Sequence, residues 1–306
     1  MTEILLAIGL VVFAWWFSTG AILILARLSG RVGQSATAAF SMVAGGAMVA
    51  VWALRDDMSI VGTAGAFGAA LAVWGWHELM FLRGTITGPR RTALPAGLSG
   101  RARFATAWQC LAHHELALVA TLGALIALTY GAENQTAAAT FAVLWAMRVS
   151  AKLNIFAGVP SAAEEFLPPH LAYLKSYFRI GKASWLMPVS IGASSCVLLA
   201  MVISILATAT GASGAFDAGA ALAIDGSLNA PLNVPLDGAL FGACLVATTL
   251  ALGILEHLML VLPLSETALW RWAMSPFSGN GPKGQRPVPT GATLVCAQPQ
   301  PAPRHV

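Results

Sequence analysis

Nine ionisable residues of this chain lie inside stretches that are otherwise apolar, and they occur in short groups. They are His77 and Glu78, then His113, His114 and Glu115, then Arg148 and Lys152, and finally Glu256 and His257. An ionisable side chain within a membrane span is costly, so each of these residues is a candidate functional residue. Imidazole and carboxylate groups together can bind iron, hold the metal of a haem or another tetrapyrrole, or exchange protons with a quinol.

The spacing of these groups from the ends of their stretches predicts a common depth. His77 precedes Arg83 by six residues and His257 precedes Pro263 by six, so each lies about 9 Å from that edge at about 1.5 Å per residue. His113 follows Arg103 by ten residues, which is about 15 Å on the same scale. Because consecutive spans alternate in direction, this agreement predicts one polar cluster among the third, fourth, fifth and seventh spans.

Three interpretations of the cluster stay open at this stage. It could bind a cofactor, a metal or a quinone, with His77, His114 and His257 as tentative metal ligands. It could be a structural network of His–Glu hydrogen bonds and an Arg148–Glu pair that holds helices together. It could also be a path for protons or a substrate. The ExxH spacing that would favour a metal site is missing, and adjacent His113 and His114 point about 100° apart on a helix.

The elements that must position these residues are transmembrane helices. The chain is 57% apolar and 10% charged, with a mean hydropathy of +0.73, whereas soluble domains are about 25% charged. Seven stretches are each long enough to cross a bilayer, which takes about 20 apolar residues. They are roughly 4–27, 35–54, 58–82, 104–130, 137–158, 187–210 and 237–263. Only helices satisfy the backbone within such segments, so we predict an all-α, polytopic membrane protein with about seven spans.

The distribution of basic residues predicts the orientation. Sixteen of the 17 Lys and Arg residues fall at one side, in the segments after spans 1, 3, 5 and 7 and at the adjoining span ends, and Arg55 alone falls at the other. The excess of positive charge marks the cytoplasmic side. We therefore expect an N-terminus outside and a C-terminus in the cytoplasm. No basic face with interleaved aromatic residues exists, so nucleic-acid binding is not expected.

Three segments outside the predicted spans have distinctive composition. Residues 84–103 form a Gly-, Pro- and Arg-rich loop suited to anionic headgroups or an acidic partner. Residues 160–182 place Leu171, Leu174 and Phe178 at helical spacing, which fits either an amphipathic helix on the cytoplasmic membrane face or a connector folded against the other helices. Residues 275–306 are Pro-rich and are predicted to be disordered.

Long stretches of this sequence resemble the PuhE family, the putative photosynthetic complex assembly protein 2 of anoxygenic phototrophic bacteria. The stretches are WGWHELMFLRGTITGPRR (74–91), HHELALVATLGALIALTYGAENQ (113–135), LWAMRVSAKLNIFAGVP (144–160), EEFLPPHLAYLKSYF (164–178), and LEHLMLVLPL with ALWRWAM (255–274). The resemblance implies a role in making the bacteriochlorophyll-based photosynthetic apparatus, in a bacterial cytoplasmic or intracytoplasmic membrane. It implies no catalytic residues.

Two functions follow as hypotheses. The first is an assembly factor that helps deliver pigment or subunits to the photosynthetic reaction centre and light-harvesting complex. The second is an accessory redox subunit, binding quinol, haem or a metal, that donates electrons to the oxygen-dependent cyclase of bacteriochlorophyll synthesis. A transporter is disfavoured, because the sequence shows no internal repeat.

Overall fold

The computed structural model describes residues 2–162, 164–210, 238–262 and 266–274, and these residues form an all-α structure without β-strands. Seven helices contain 22 to 29 residues each. They are α1 (Thr2–Arg27), α2 (Gly30–Ala53), α3 (Ile60–Leu82), α4 (Gly100–Leu128), α5 (Thr136–Ala157), α6 (Leu186–Ala209) and α7 (Gly238–Met259); two short helices follow, α8 (Glu266–Leu269) and α9 (Arg271–Met274). The predicted tail at 275–306 lies outside the described residues.

The helical, multi-pass membrane character predicted from the sequence is confirmed. The helices begin and end within two or three residues of the predicted spans, apart from shifts of four or five residues at the start of α2, the start of α4 and the end of α7. Five helices, α1, α2, α4, α6 and α7, are long and apolar enough to cross a membrane. The other two long helices, α3 and α5, contain the His77–Glu78 pair and the Arg148 and Lys152 pair. The protein is therefore a multi-pass membrane protein.

Helix α7 lies at the centre of the bundle, where it contacts α1, α3, α5 and α6. Phe241 and Leu245 of α7 pack with Val11 of α1 and Phe67 of α3 in one buried cluster. A second buried cluster joins α2, α3, α4 and α5. Small residues allow the close approach of helices that drives association in lipid, and Gly242 of α7 lies directly against Thr63 and Thr136.

The loop between α2 and α3 is held by side-chain hydrogen bonds. Ser59 caps α3 by accepting from the Gly62 amide at 2.9 Å, and its own amide donates to Asp57 Oδ1 at 2.9 Å. Hydrogen bonds to the carboxylate from the side chain and the amide of Ser59 hold the pKa of the Asp57 carboxyl below its usual value. Asn134, in the α4–α5 loop, donates to the carbonyls of Leu54 and Asp57 at 3.1 and 3.0 Å, so the two loops are tied together.

The first part of the loop at 84–103 differs from its sequence-based expectation, because it is not a free surface. Thr87 and Gly88 are buried against the middle of α4. The Thr87 carbonyl accepts from the peptide N–H of His114 at 2.9 Å, and the Gln109 carbonyl accepts from the Arg90 amide at 3.1 Å. Composition alone suggested an exposed loop, but glycine at position 88 lets the backbone approach a helix closely.

The segment at 160–182 is a connector packed on the bundle. It contains two 3-10 helices, Glu164–Phe166 and Pro169–Tyr177. Leu171, Leu174 and Tyr177 are buried in one cluster with Phe81 and Cys110. The Tyr177 hydroxyl accepts from Arg90 Nε at 3.0 Å and donates to the Thr92 carbonyl at 3.1 Å, and burial raises the pKa of this phenol. The connector and the loop after α3 therefore hold each other in place.

Candidate functional site: a charged cavity between the helices

The structure separates the nine predicted residues into two settings. Five of them line one cavity, and the four histidines do not. The five are Glu78 on α3, Glu115 on α4, Arg148 and Lys152 on α5, and Glu256 on α7. The shared depth inferred from the sequence therefore corresponds to a real convergence of charged side chains, although the imidazoles take no part in its surface.

Two ion pairs join the helices across this cavity. Arg148 donates from Nη2 to Glu78 Oε2 at 3.2 Å, and Lys152 donates from Nζ to Glu115 Oε1 at 2.5 Å. The Lys152–Glu115 pair is the more enclosed, with side chains 20% and 7% exposed, whereas the Arg148 side chain is 43% exposed. Arg148 and Lys152 share one face of α5 because they lie one helical turn apart.

The fifth charged residue, Glu256, is held differently. Its Oε1 accepts from the indole Nε1 of Trp15 on α1 at 2.7 Å. Glu256 also lies within electrostatic range of Arg148, as do Glu78 and Glu115. Trp15 in turn packs edge-on against Trp270, at 5.1 Å between ring centroids. Trp270, the turn residue between α8 and α9, thus supports the indole that binds this carboxylate.

The cavity itself has a volume of about 670 Å³ and lies among α1, α3, α4, α5 and α7, with the connector and Trp270 at one end. This volume is within the range of about 300–1,000 Å³ that is typical of small-molecule sites. Its wall is mostly apolar and rich in aromatic rings, among them Trp15, Trp74, Trp108, Trp145, Phe156 and Trp270. A large apolar space with a few convergent polar groups is the usual form of a binding site.

Two polar atoms on residues that line the cavity lack a hydrogen-bond partner among the described residues. They are the indole Nε1 of Trp145 and the Oε1 atom of Glu78, and both are buried. Glu78 Oε1 lies 3.8 Å from His114 Nε2, which is too long for a hydrogen bond. Because most buried polar groups are paired, these two atoms are an available donor and an available acceptor.

His77 and His257 form contacts within the packed helices. His77 Nε2 is hydrogen-bonded to Thr121 Oγ1 of α4 at 2.8 Å. His257 Nδ1 donates to the Gly253 carbonyl at 2.9 Å, so the neutral ring accepts at Nε2 from the hydroxyl of Ser150 on α5, also at 2.9 Å. Both nitrogens of His257 are therefore engaged, and this side chain links α7 to α5.

The remaining two histidines lie on different faces of α4. His114 is fully buried beside the Phe81 ring, at 4.7 Å between centroids, and its two ring nitrogens have no hydrogen-bond partner among the described residues. His113 is exposed on the outer surface of the helix. Neither histidine lines the cavity, and of the two only His114 is buried in the bundle.

The tentative metal ligands are not assembled into one site. Across the described ranges, no group of three or more His, Cys, Asp or Glu side chains is arranged to hold a metal ion. Sequence reasoning also missed three residues of the cavity wall, Trp15, Trp108 and Trp145. One local signal was present at Trp15, because Ser18 and Thr19 follow it within one helical turn in an otherwise apolar span. Their hydroxyl groups could have suggested a polar inner face there.

A family model described as "Protein of unknown function (DUF3623)" matches residues 1–225 and 233–279. The chain is 36% identical over 283 residues to a Rhodobacter capsulatus protein described as an uncharacterized 30.4 kDa protein in the puhA 5' region, covering 91% of this chain and 93% of that protein. No solved structure matches the chain.

Proposed function

We infer the function of this chain as a member of the family to which it belongs, described as protein of unknown function (DUF3623). The protein is a membrane-embedded accessory factor for bacteriochlorophyll synthesis and for assembly of the photosynthetic reaction centre and light-harvesting complex. Two observations support the biological setting. The sequence resembles the PuhE family along most of residues 74–274. The description of the Rhodobacter capsulatus relative also refers to the puhA 5' region.

In this proposal all seven long helices cross the membrane. Helices α3 and α5 have 23 and 22 residues, or about 33 Å or more at about 1.5 Å per residue, which matches a hydrocarbon core of about 30 Å. The charged residues Glu78, Arg148 and Lys152 on these helices face an internal cavity, as intramembrane charges do. The N-terminus lies outside and the C-terminus inside, in the bacterial cytoplasmic or intracytoplasmic membrane.

The observation that carries the proposal is the cavity of about 670 Å³ with paired charges in its wall. A protein whose helices only scaffold a complex has no need of such a space, because tight packing between helices is more stable. A factor that handles a pigment precursor or a cofactor needs a binding site inside the membrane. The cavity supplies that site.

A deletion strain of the phototroph that encodes this protein tests the proposal. We expect reduced reaction-centre and light-harvesting complexes and an altered profile of bacteriochlorophyll precursors, measured by absorption spectra and chromatography of extracted pigments. Complementation by Arg148→Gln should fail to restore the profile. Arg55→Gln is the matched control, since Arg55 has a similarly exposed side chain, 40% against 43%, but lies in the α2–α3 loop. A normal pigment profile in the deletion strain would contradict the proposal.

A second candidate is the redox subunit that donates electrons to the oxygen-dependent cyclase. The cavity favours its quinol-binding form over its haem-binding form, because no histidine of the described residues lines the space. Accumulation of the cyclase substrate in the deletion strain would favour this candidate over a late assembly role. A Soret band or stoichiometric iron in the purified protein would instead favour a haem or metal form.

A further inference from the structure

We propose that the cavity binds a neutral, lipid-soluble ring molecule of the quinone–quinol class, which enters from the bilayer between the helices. This inference deepens the proposed function. It rests on the proposed function only for what the protein uses the bound ligand for. Whether the ligand binds can be measured on the purified protein. It can therefore fail, or hold, independently of any effect on pigment.

The side of the cavity formed by α4 is open to the surroundings of the bundle. Phe104, Trp108, Leu116 and Val119 all line the cavity, yet their side chains are between 46% and 59% exposed. In a membrane these exposed apolar groups face lipid tails, since lipid takes the place of water at that depth. A ligand that is dissolved in the bilayer can reach the cavity by this side, and a water-soluble metabolite cannot.

The charge of the wall selects against an anionic ligand. Three carboxylates, Glu78, Glu115 and Glu256, face two cations, Arg148 and Lys152. The cations are already paired at 3.2 and 2.5 Å, so a phosphate headgroup or a free carboxylate would meet an excess of negative charge in a medium of low dielectric constant. A neutral head group avoids this repulsion.

The unpaired atoms of the wall define what the head group must offer. The Trp145 indole N–H needs an acceptor, and Glu78 Oε1 accepts a hydrogen bond when it is ionised. A quinone carbonyl supplies the acceptor, and a quinol hydroxyl supplies the donor. A plain acyl chain would leave both atoms unpaired.

The remainder of the wall suits a planar ring with an apolar tail. Trp74, Phe156 and Trp270 offer aromatic faces, and aromatic rings stack or pack edge-on with planar groups. A metallated tetrapyrrole is a poorer match, because no imidazole of the described residues reaches the cavity to bind its metal. The geometry therefore points to a quinone and not to a finished pigment.

The test begins with the full-length protein in mild detergent. We expect extraction and chromatography to yield about one quinone per chain, and a labelled short-chain ubiquinone analogue to bind saturably in equilibrium dialysis. Phospholipid as the sole extracted amphiphile, with no saturable binding of the analogue, would overturn the inference. So would a metal-free tetrapyrrole that binds saturably and that the analogue does not displace.

Two variants then locate the site. Trp145→Phe and Glu78→Gln should each weaken binding of the analogue by about tenfold, which corresponds to the loss of one well-formed hydrogen bond, about 1.4 kcal/mol. Trp185→Phe is the matched control, because Trp185 is 78% exposed and does not line the cavity. Undiminished binding by both cavity variants would contradict the inference. If either variant fails to insert, the wild-type dialysis result still decides the ligand class.

The outcomes separate this inference from the proposed function. Saturable quinone binding with a normal pigment profile in the deletion strain would overturn only the proposed function. An altered pigment profile together with no quinone binding would overturn only the ligand class.

Discussion

Helix α5 presents polar groups to two very different environments, and the contrast distinguishes structural contacts from a binding site. On one side, Ser150 is hydrogen-bonded to His257 of α7, whose second nitrogen is bound to the Gly253 carbonyl. On the other side, Arg148 and Lys152 pair with carboxylates in the wall of a large cavity. Polar groups that are fully paired in a packed interface hold helices together. Polar groups left partly unpaired beside an open space are available to a ligand.

The largest effect is expected from removal of one partner of the enclosed ion pair. Glu115→Ala leaves Lys152 unpaired at a position where its side chain is only 20% exposed, and breaking such a buried pair costs about 3–5 kcal/mol. The double variant Glu115→Leu with Lys152→Met removes both charges and should recover most of this loss. Denaturant unfolding in detergent micelles measures both. Equal losses in the single and double variants would mean that the charges do not interact.

The next largest effect concerns the loop that packs on α4 immediately before Glu115. A side chain at position 88 would overlap the backbone at Gln109 and Cys110. Gly88→Ala should therefore destabilise the protein by about 1–3 kcal/mol, the usual cost of overpacking. Gly123→Ala is the control, because this glycine of the same helix has open space around it. Thermal unfolding monitored by circular dichroism compares the two, and an unchanged Gly88→Ala protein would show that the loop can move away freely.

A smaller effect is expected at the packed interface between α5 and α7. It tests directly whether this interface and the cavity have different roles. His257→Phe keeps the ring volume but removes both hydrogen bonds of the side chain, which in membrane proteins contribute about 0.6 kcal/mol each. Stability should fall by about 1 kcal/mol while binding of a ubiquinone analogue stays unchanged. Trp145→Phe should show the reverse pattern, with weakened binding of the analogue and little loss of stability, because Trp145 lines the cavity and takes part in no ion pair. If both variants changed stability and binding in the same way, the proposed difference between the packed interface and the cavity would be wrong.

The smallest effect lies at Asp57, away from both regions. Its pKa is lower in the folded protein than in the unfolded chain, because Ser59 donates to the ionised form. Its contribution to stability is therefore present above the unfolded pKa of about 4 and is lost as the pH falls through the lower folded pKa. The stability difference between wild type and Asp57→Asn, measured from neutral pH to about pH 3, should shrink toward zero at the acidic end. A difference that does not change with pH would contradict the assigned hydrogen bonds.

Much of the helical framework could be predicted from the sequence, since a bilayer requires long apolar segments with internally satisfied backbones. The convergence of Glu78, Glu115, Arg148 and Lys152 was also anticipated, from their common distance to the basic span ends. The partners of the histidines could not be predicted. Thr121 and Ser150 are ordinary residues in apolar helices, and nothing local marks them as partners of His77 and His257.

The rotation of each helix about its axis was the missing information. In a soluble protein the polar stripe of a helix shows which side faces water. In lipid, the packed side and the lipid side are both apolar, so the sequence of α4 does not show that His113 faces outward while His114 is buried. The same ambiguity concealed the inward positions of Trp108 and Trp145.

The sequence by itself therefore determined the class of protein, the approximate bounds of its helices and the positions of the charged residues along them, because hydrophobic length and charge position act locally along the chain. Only the tertiary structure decided that the charged groups form two ion pairs around a cavity, that His77 and His257 are structural contacts, and that Gly88 packs into α4. These features depend on how helices far apart in the chain turn their faces toward one another, and in a membrane that choice is made by packing and not by polarity.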